Sequence, residues 1–270
     1  AVICGAYGKG NAGDDAILVC MIRQLRQQDP DLPITVMTRK PRETAVQTGV
    51  STVHIFNIPA AGRIMKKSKL YISGGGSLIQ NVTSSRSLSY YLYSIRQAKR
   101  AGCRVMMYGC GIGPVNGDRD RERSCRVLEQ NVDLIALRDP ESLQTLRSFG
   151  VKGPEVCVTA DPALLMEGDD AAARRYLTRS GLDPDGRYSL FVLRPWDGTQ
   201  DRLAAICAAA DYGWEKYGLK PLLYTLEPGR DDEITRTAGA MIHSPCRVLP
   251  PITDGAALCG LMGRMELVVS

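Results

Sequence analysis

The feature that most constrains the fold is a regular alternation of short apolar runs and amphipathic segments along the 270 residues. Short apolar runs bounded by turn residues predict buried strands, and apolar residues at helical spacing between them predict covering helices. The first series of runs is AVIC, PITVM, TVHIF, KLYISG, RVMMYG, VDLIAL and EVCVT. Strands that alternate with helices in this way predict an α/β protein with parallel sheets.

The alternation is interrupted at residues 167–186, which are polar and supply few core residues. A second series follows, with the runs YSLFVLRP, KPLLYTL, CRVLP and MELVVS. We therefore predict an N-terminal Rossmann-like domain over residues 1–166, a linker over 167–186 and a C-terminal Rossmann-like domain over 187–270. The last predicted strand reaches Ser270, where ligand-binding loops usually begin, so we expect the second domain to be incomplete and the natural protein to be longer.

Composition and charge exclude several classes of protein. Apolar residues make up 44% of the chain, enough for a folded core. Nine cysteines include no C-x-x-C pair and the two histidines are far apart, so we expect reduced, buried thiols and no metal site. The net charge of +5 is mild, which favours an anionic small substrate or an anionic membrane surface over nucleic acid. No run of about 18 uncharged apolar residues occurs, and we expect a cytoplasmic protein.

Residues 8–13 spell G-x-G-x-x-G directly after the first strand, a spacing typical of dinucleotide-binding loops. Asp14 and Asp15 follow at once; these carboxylates favour a helix dipole but repel a phosphate at the same place. Arg39 stands near the end of the second strand, where an acid would hold a ribose hydroxyl. Arginine there can accept a 2′-phosphate, so an NADP-dependent oxidoreductase stays open as a disfavoured alternative.

Two further glycine-rich stretches, residues 74–77 and 109–113, end other predicted strands. The carboxyl ends of parallel strands meet at one edge of a sheet, where ligands bind. Three glycine loops at that edge predict a ligand crevice lined by backbone donors. We expect Gly75, Gly76 and Ser77 to donate hydrogen bonds to a phosphate or a sugar.

Charged residues fall near the same predicted edge. Arg138 ends the run VDLIAL, where its guanidinium can bind a phosphate or a carboxylate; the alternative is a salt bridge to Asp139 or Glu141. Asp161 ends the following strand and can equally serve as a turn or helix cap. Arg194 ends the first strand of the second half.

Arg86 follows the triple-glycine stretch and is either a ligand-binding residue or a surface residue of a helix. The tyrosines that follow it, at positions 90, 91 and 93, favour core packing over a sugar platform.

Five stretches carry a resemblance to a known family. GAYGKGNAGDDAIL, YISGGGSLIQNVTSSRS, MMYGCGIGP, IALRDPES and VTADPALL together resemble the polysaccharide pyruvyl transferase family. They are most similar to its bacterial CsaB-like branch, which acts on precursors of secondary cell-wall polymers. The similarity runs in order over nearly the whole chain. On this resemblance, the loop of Asn11, Gly13 and Asp14 is the N-terminal signature of the family and not a dinucleotide fingerprint.

The resemblance implies a GT-B-like fold, in which two Rossmann-like domains face each other across a cleft. It also implies transfer of pyruvate from phosphoenolpyruvate to a sugar as a 4,6-ketal, with no cofactor and no metal. The implied acceptor is an N-acetylmannosamine-containing saccharide on undecaprenyl pyrophosphate, so contact with the inner membrane surface is expected. The family usually continues with an Arg-Leu-His motif after the strand that ends here at Ser270, and neither His54 nor His243 lies in such a motif.

These expectations assign two catalytic residues. Arg138 holds phosphoenolpyruvate, and Asp14 either acts on an acceptor hydroxyl or orients its loop. The remaining substrate-binding candidates are Asn11, Gly13, Gly75, Gly76, Ser77, Arg86 and Arg194. Two alternatives remain: a GT-B glycosyltransferase that uses a nucleotide sugar, and a non-catalytic scaffold that binds lipid-linked saccharide.

Overall fold

The computed structural model describes residues 1–82 and 84–270, and in this part of the chain strands alternate with helices as predicted. The strands are β1 (Val2–Cys4), β2 (Thr35–Thr38), β3 (Ser51–His54), β4 (Leu70–Ile79), β5 (Arg104–Ile112), β6 (Leu134–Leu137), β7 (Glu155–Val158), β8 (Tyr188–Phe191), β9 (Lys220–Leu223), β10 (Arg247–Val248) and β11 (Leu267–Val269). The α-helices are α1 (Ala12–Gln28), α2 (Pro41–Thr48), α3 (Ile58–Lys66), α4 (Ser85–Arg100), α5 (Asp118–Asn131), α6 (Pro140–Ser148), α7 (Asp170–Arg179), α8 (Thr199–Tyr217), α9 (Asp232–Met241) and α10 (Gly255–Gly263).

The chain forms two compact units, one of residues 1–9 and 14–165, the other of residues 10–13 and 166–270. In the first unit the sheet order is β3-β2-β1-β4-β5-β6-β7, and every neighbouring pair is parallel. In the second the order is β10-β9-β8-β11, again parallel throughout. The prediction of an α/β protein with two parallel sheets is confirmed.

Strands in the interior of the first sheet, such as β1 and β6, are apolar without alternation because helices cover both faces of the sheet. Neighbouring side chains along a strand point to opposite faces. Val2 accordingly packs in one core cluster and Ile3 in another, and Tyr71 and Ile72 divide in the same way. Helix α1 covers the second of these clusters and α4 the first.

Local sequence signals set the ends of the helices beside the candidate site. The Ser84 side chain caps α4 by accepting a hydrogen bond from the amide of Ser87, and α4 buries the face that contains Leu88. The Asp139 side chain caps α6, with Pro140 in the first turn. A side-chain acceptor at this position satisfies an amide that has no partner within the helix.

The glycine-rich stretches of the first unit differ from the prediction. They were expected to be loops beyond the strand ends, but β4 continues through Gly74–Gly76 to Ile79 and β5 continues to Ile112. Gly75 and Gly76 have φ of 68° and 66°, a region that glycine enters without steric cost. The strand therefore bends inside the sheet, and its register against β5 shifts beyond Gly76.

The segment at residues 167–186 also differs from the prediction. It contains α7, whose Ala173 and Leu177 are fully buried in the core of the second unit together with Leu182. The segment is therefore part of the second unit, which begins at Met166, and is not a linker. Among the described residues, no helix has the length and apolarity needed to cross a membrane.

Candidate active site

The first unit gathers charged and hydroxyl side chains where β4, β5, β6 and β7 approach their carboxyl ends. Arg138 follows β6, and its Nη1 donates to Asp161 Oδ2 at 2.9 Å while its Nη2 donates weakly to Ser77 Oγ at 3.4 Å. Its Nε lies 3.5 Å from Asp139 Oδ2. We call Ser77, Arg138, Asp139 and Asp161 the Arg138 cluster. The Arg138 side chain is 32% exposed, so a solute can reach it.

Glycine at position 111 makes room for this cluster. A Cβ atom there would lie 2.6 Å from Ser77 Oγ and 3.1 Å from Arg138 Nε. A Cβ at Gly109 would lie 2.3 Å from the Cδ of Pro162, the residue after Asp161. The bare backbone of β5 is therefore what allows the neighbouring residues to converge.

Hydrogen bonds to Ser142 of α6 connect the Arg138 cluster to the end of β5. Asp139 Oδ1 accepts a hydrogen bond of 2.6 Å from the amide of Ser142, and Ser142 Oγ accepts one of 2.9 Å from the amide of Ile112 at the end of β5. Burial opposes the charge on Asp139, but its hydrogen bonds with Ser142 and the nearby Arg138 outweigh that effect and lower its pKa. A charged carboxylate therefore stays beside Arg138 in the neutral pH range.

Asp14 lies beside the bent part of β4. A Cβ at Gly76 would be 2.9 Å from Asp14 Oδ1, so the carboxylate is next to the backbone that precedes Ser77. Gly75 is buried against α1, where a Cβ would lie 2.2 Å from Ile17 Cγ2. Close packing thus accounts for the glycine at position 75, and Asp14 lies beside Gly76, the residue before Ser77.

Asp15 and Tyr7 brace the loop that follows β1. The amide of Gly8 donates to Asp15 Oδ1 at 3.3 Å, and burial raises the pKa of Asp15. Tyr7 Oη donates to the carbonyl of Gly74 at 2.6 Å, and burial raises the pKa of this phenol well above its ordinary value. The first glycine loop is therefore fastened to β4 by protein groups.

Three predicted site residues belong to the second unit. The Asn11 side chain accepts a hydrogen bond of 3.0 Å from the amide of Gly13 and so shapes its own loop. Arg194 follows β8 and forms ion pairs with Glu227 and with the fully buried Asp231. Arg194 is therefore held by two carboxylates, as Arg138 is.

Arg86 lies away from the Arg138 cluster, on the β1–β3 side of the same unit. Together with Lys9 and Arg39 it lines a cavity of about 510 Å³, which we call the Arg39 pocket. Sequence reasoning did not single out Lys9 and considered Arg39 only for a cofactor phosphate. The signal that could have found them is the basic residue that follows each of two adjacent strands, since adjacent parallel strands end at the same edge.

This arrangement can bind anions at two places of the first unit and can move a proton at Asp14 or at the carboxylates of the Arg138 cluster. An arginine held by acidic neighbours presents its remaining N–H groups in a fixed orientation, which suits a phosphate or a carboxylate.

Comparison with known proteins gives one family and one fold. A sequence profile described as polysaccharide pyruvyl transferase matches residues 11–270. No curated protein matches this chain.

Solved structures with the same fold are distant in sequence. The UDP-GlcNAc 2-epimerase of Neisseria meningitidis is 11% identical with a TM-score of 0.62, over 99% of this chain and 76% of that one. The epimerase of Methanocaldococcus jannaschii has 11% identity and a TM-score of 0.63, over 99% and 77%. A glycosyltransferase of Rickettsia africae has 7% identity and a TM-score of 0.61, over 100% and 72%. At these identities the likeness establishes a GT-B-like α/β fold alone.

Proposed function

Because this chain belongs to the polysaccharide pyruvyl transferase family, we propose that it transfers pyruvate from phosphoenolpyruvate to a sugar and forms a 4,6-ketal. The observation that carries the proposal is the family match over residues 11–270. The Arg138 cluster supports it, because Arg138 stands at a strand end, where the glycine at position 111 leaves room for its side chain and solutes can reach it.

In this proposal Arg138 binds phosphoenolpyruvate through the phosphate or the carboxylate. Asp161 fixes the guanidinium with a 2.9 Å hydrogen bond. The contact from Arg138 to Ser77 is weak at 3.4 Å, so an anionic oxygen can replace it and form a shorter, charge-assisted bond. Ser77 Oγ then becomes free to donate to the same anion.

The reaction needs a proton at the terminal methylene of phosphoenolpyruvate, which creates an oxocarbenium-like carbon. One sugar hydroxyl adds to that carbon and gives up its proton. The carbon–oxygen bond to phosphate then breaks, phosphate leaves with the bonding electrons, and the second hydroxyl closes the ring and loses its proton. The products are the ketal and inorganic phosphate. Arg138 stabilises the charge of the departing phosphate, an effect worth about 10²- to 10³-fold in rate for one lost donor.

Asp14 is the candidate base for an acceptor hydroxyl. It lies beside Gly76 at the bend of β4, one residue before Ser77. General base catalysis of this kind contributes about 10²- to 10⁴-fold. Replacement of Asp14 by Asn should therefore lower kcat with little change in the KM for phosphoenolpyruvate; unchanged turnover would leave Asp14 a loop-orienting residue.

The acceptor in this proposal is an N-acetylmannosamine-containing saccharide linked to undecaprenyl pyrophosphate, as in the CsaB-like branch. The protein would act in the cytoplasm with peripheral contact to the inner membrane surface, and phosphoenolpyruvate would be its donor without a cofactor.

The test is the binding of phosphoenolpyruvate to Arg138→Gln, measured by isothermal titration calorimetry. We expect the affinity for phosphoenolpyruvate to fall by about tenfold or more, because the variant loses a charge-assisted hydrogen bond to the ligand. Arg147→Gln is the matched control, because Arg147 is an exposed arginine of α6 outside the cluster. Normal affinity in Arg138→Gln would remove Arg138 from the donor site.

A second candidate is a glycosyltransferase that uses a nucleotide sugar. The observation behind it is the fold shared with the Rickettsia africae glycosyltransferase, a likeness that at 7% identity concerns the fold alone. Melting temperatures with phosphoenolpyruvate and with UDP-sugars distinguish the two, since a ligand raises the melting temperature of the protein that binds it. A rise with UDP-sugars alone would favour the second candidate.

A further inference from the structure

The Arg39 pocket is a separate cationic site in the first unit. Its described lining residues include three basic side chains, Lys9, Arg39 and Arg86, and no acidic one. All three side chains are exposed. A concave surface with charges of one sign concentrates ligands of the opposite sign. The pocket therefore favours an anion.

The architecture around Arg39 holds it in place. Its amide donates to the carbonyl of Tyr7 at 3.2 Å, and its guanidinium lies 5.2 Å from the centroid of the Phe56 ring. Phe56 in turn meets Tyr90 edge to face at 5.7 Å, and Tyr90 Oη donates to the carbonyl of Ile55 at 2.7 Å. A guanidinium that stacks on an aromatic ring keeps its N–H edge for another partner.

The pocket lies on the opposite side of β1 and β4 from the Arg138 cluster. Tyr7 lines the pocket and donates a hydrogen bond to the carbonyl of Gly74 in β4, whereas the Arg138 cluster extends from Ser77 of β4 toward β6 and β7. Two anion sites thus occupy one sheet edge. If phosphoenolpyruvate binds at Arg138, as the proposed function has it, the Arg39 pocket is left for a second anion.

We propose that the Arg39 pocket binds the phosphate or pyrophosphate group attached to the acceptor saccharide. The identity of the ligand as the acceptor rests on the proposed function, whereas the preference for a phosphate anion rests on the pocket itself. The volume of about 510 Å³ lies in the usual range for small-ligand sites and accommodates a pyrophosphate with part of its sugar. Arg39 and Arg86 determine which acceptors bind, and they take no part in the chemistry at the donor.

The test uses inorganic pyrophosphate as the probe and calorimetry as the measurement. Binding is measured to Arg138→Gln, which removes the one basic side chain of the Arg138 cluster, and to the triple variant with Arg39→Gln and Arg86→Gln added. We expect pyrophosphate to bind Arg138→Gln and to lose at least about tenfold in affinity in the triple variant. Arg63→Gln, an exposed arginine of α3 outside the pocket, serves as the control and should bind normally.

Two results would overturn the pocket assignment: no pyrophosphate binding to Arg138→Gln, or equal affinity in the triple variant. Circular dichroism and melting temperature establish that each variant is folded. A second experiment keeps Arg138 and measures transfer by the double variant Arg39→Gln/Arg86→Gln. The KM for a pyrophosphate-linked acceptor should rise, whereas the KM for a phosphate-free saccharide should stay unchanged. An equal change in both KM values would also overturn the assignment. Failure of the wild-type protein to transfer pyruvate to any acceptor would refute the proposed function, and the pyrophosphate titration would still decide the pocket.

Discussion

Replacement of Gly111 by alanine adds one methyl group beside the Arg138 cluster. It tests whether Ser77 and Arg138 need the bare backbone of β5 at this position. The added Cβ would lie 2.6 Å from Ser77 Oγ, 3.1 Å from Arg138 Nε and 3.3 Å from Arg138 Nη2. Ordinary van der Waals contact begins near 3.4 Å, so both side chains must move away from β5. Gly111 is outside the positive-φ region, so the substitution introduces no backbone strain of that kind.

The added Cβ is about 0.8 Å too close to Ser77 Oγ and about 0.3 Å too close to Arg138 Nε, so Ser77 must move further than Arg138. A misplacement of about 1 Å costs about 10²-fold in rate, which makes about 10²-fold, or about 2.7 kcal/mol of transition-state stabilisation, the upper limit of the expected loss. The free energy of unfolding should fall by about 1 kcal/mol, near the low end for overpacking, because the crowded atoms are side-chain ends. Activity should therefore fall much further than stability.

The assay is acceptor-dependent release of phosphate from phosphoenolpyruvate, with calorimetry of phosphoenolpyruvate binding and urea denaturation in parallel. Gly62→Ala is the control: it lies inside α3 with nothing within 4 Å of the added Cβ. In the Ser77→Ala background the closest clash is absent, so Gly111→Ala should lower phosphoenolpyruvate affinity less there than it does in the wild-type protein. A Gly111→Ala protein with kcat/KM within about threefold of wild type, a difference of less than 1 kcal/mol, would refute this reasoning.

Three predictions concern stability and are measured by urea denaturation. Gly75→Ala should lower the free energy of unfolding by about 2–4 kcal/mol, because Gly75 has a positive φ and an added Cβ would clash with α1. Gly102→Ala is the control: Gly102 has a φ of 91° but nothing near its Cβ position, so the loss should be about 1–2 kcal/mol. Leu177→Ala should cost about 2–5 kcal/mol and exposed Arg175→Ala almost nothing; equal costs would restore the linker interpretation. Burial opposes ionisation of Asp133, but its hydrogen bonds and the lysine partner lower its pKa, so Asp133→Asn should cost about 1 kcal/mol at pH 7. The ordinary pKa of an aspartate is about 3.9, and that of Asp133 in the folded protein is lower. The cost of the substitution should vanish as the pH falls from the first value through the second. A cost that does not depend on pH would contradict this prediction.

The alternation of strands and helices could be predicted because each element carries a local signal. β1 and β6 are continuous apolar runs, and α6 has a capping aspartate followed by proline. The bend within β4 could not be predicted, because it depends on Ile17 and Met21 of α1 pressing against the bare backbone at Gly75 and Gly74. Such contacts are tertiary and leave no periodic pattern in the sequence.

The interpretation of residues 167–186 as a linker was wrong for a related reason. Helix α7 is mostly polar, and its inward positions are occupied by one small and one large apolar residue, Ala173 and Leu177. Two apolar residues four positions apart are too few to distinguish a core helix from a solvated one.

The candidate site could be predicted in part. The rule that parallel strands end at a shared edge brings Ser77, Arg138 and Asp161 together, as the structure shows. The rule does not indicate which arginines already have partners. Arg194 pairs with Glu227, 33 residues away in sequence, and no local pattern marks that pairing.

The measurement that tests the central claim most directly is a reaction with phosphoenolpyruvate labelled with ¹³C at its methylene carbon. The protein is mixed with the labelled donor and a saccharide acceptor that ends in N-acetylmannosamine, and the products are followed by NMR. The proposed function predicts a labelled methyl group on a ketal carbon of the sugar and one equivalent of inorganic phosphate. The proposed function would be contradicted if phosphoenolpyruvate stayed unconsumed while the protein transferred a sugar from a UDP-sugar to the same acceptor.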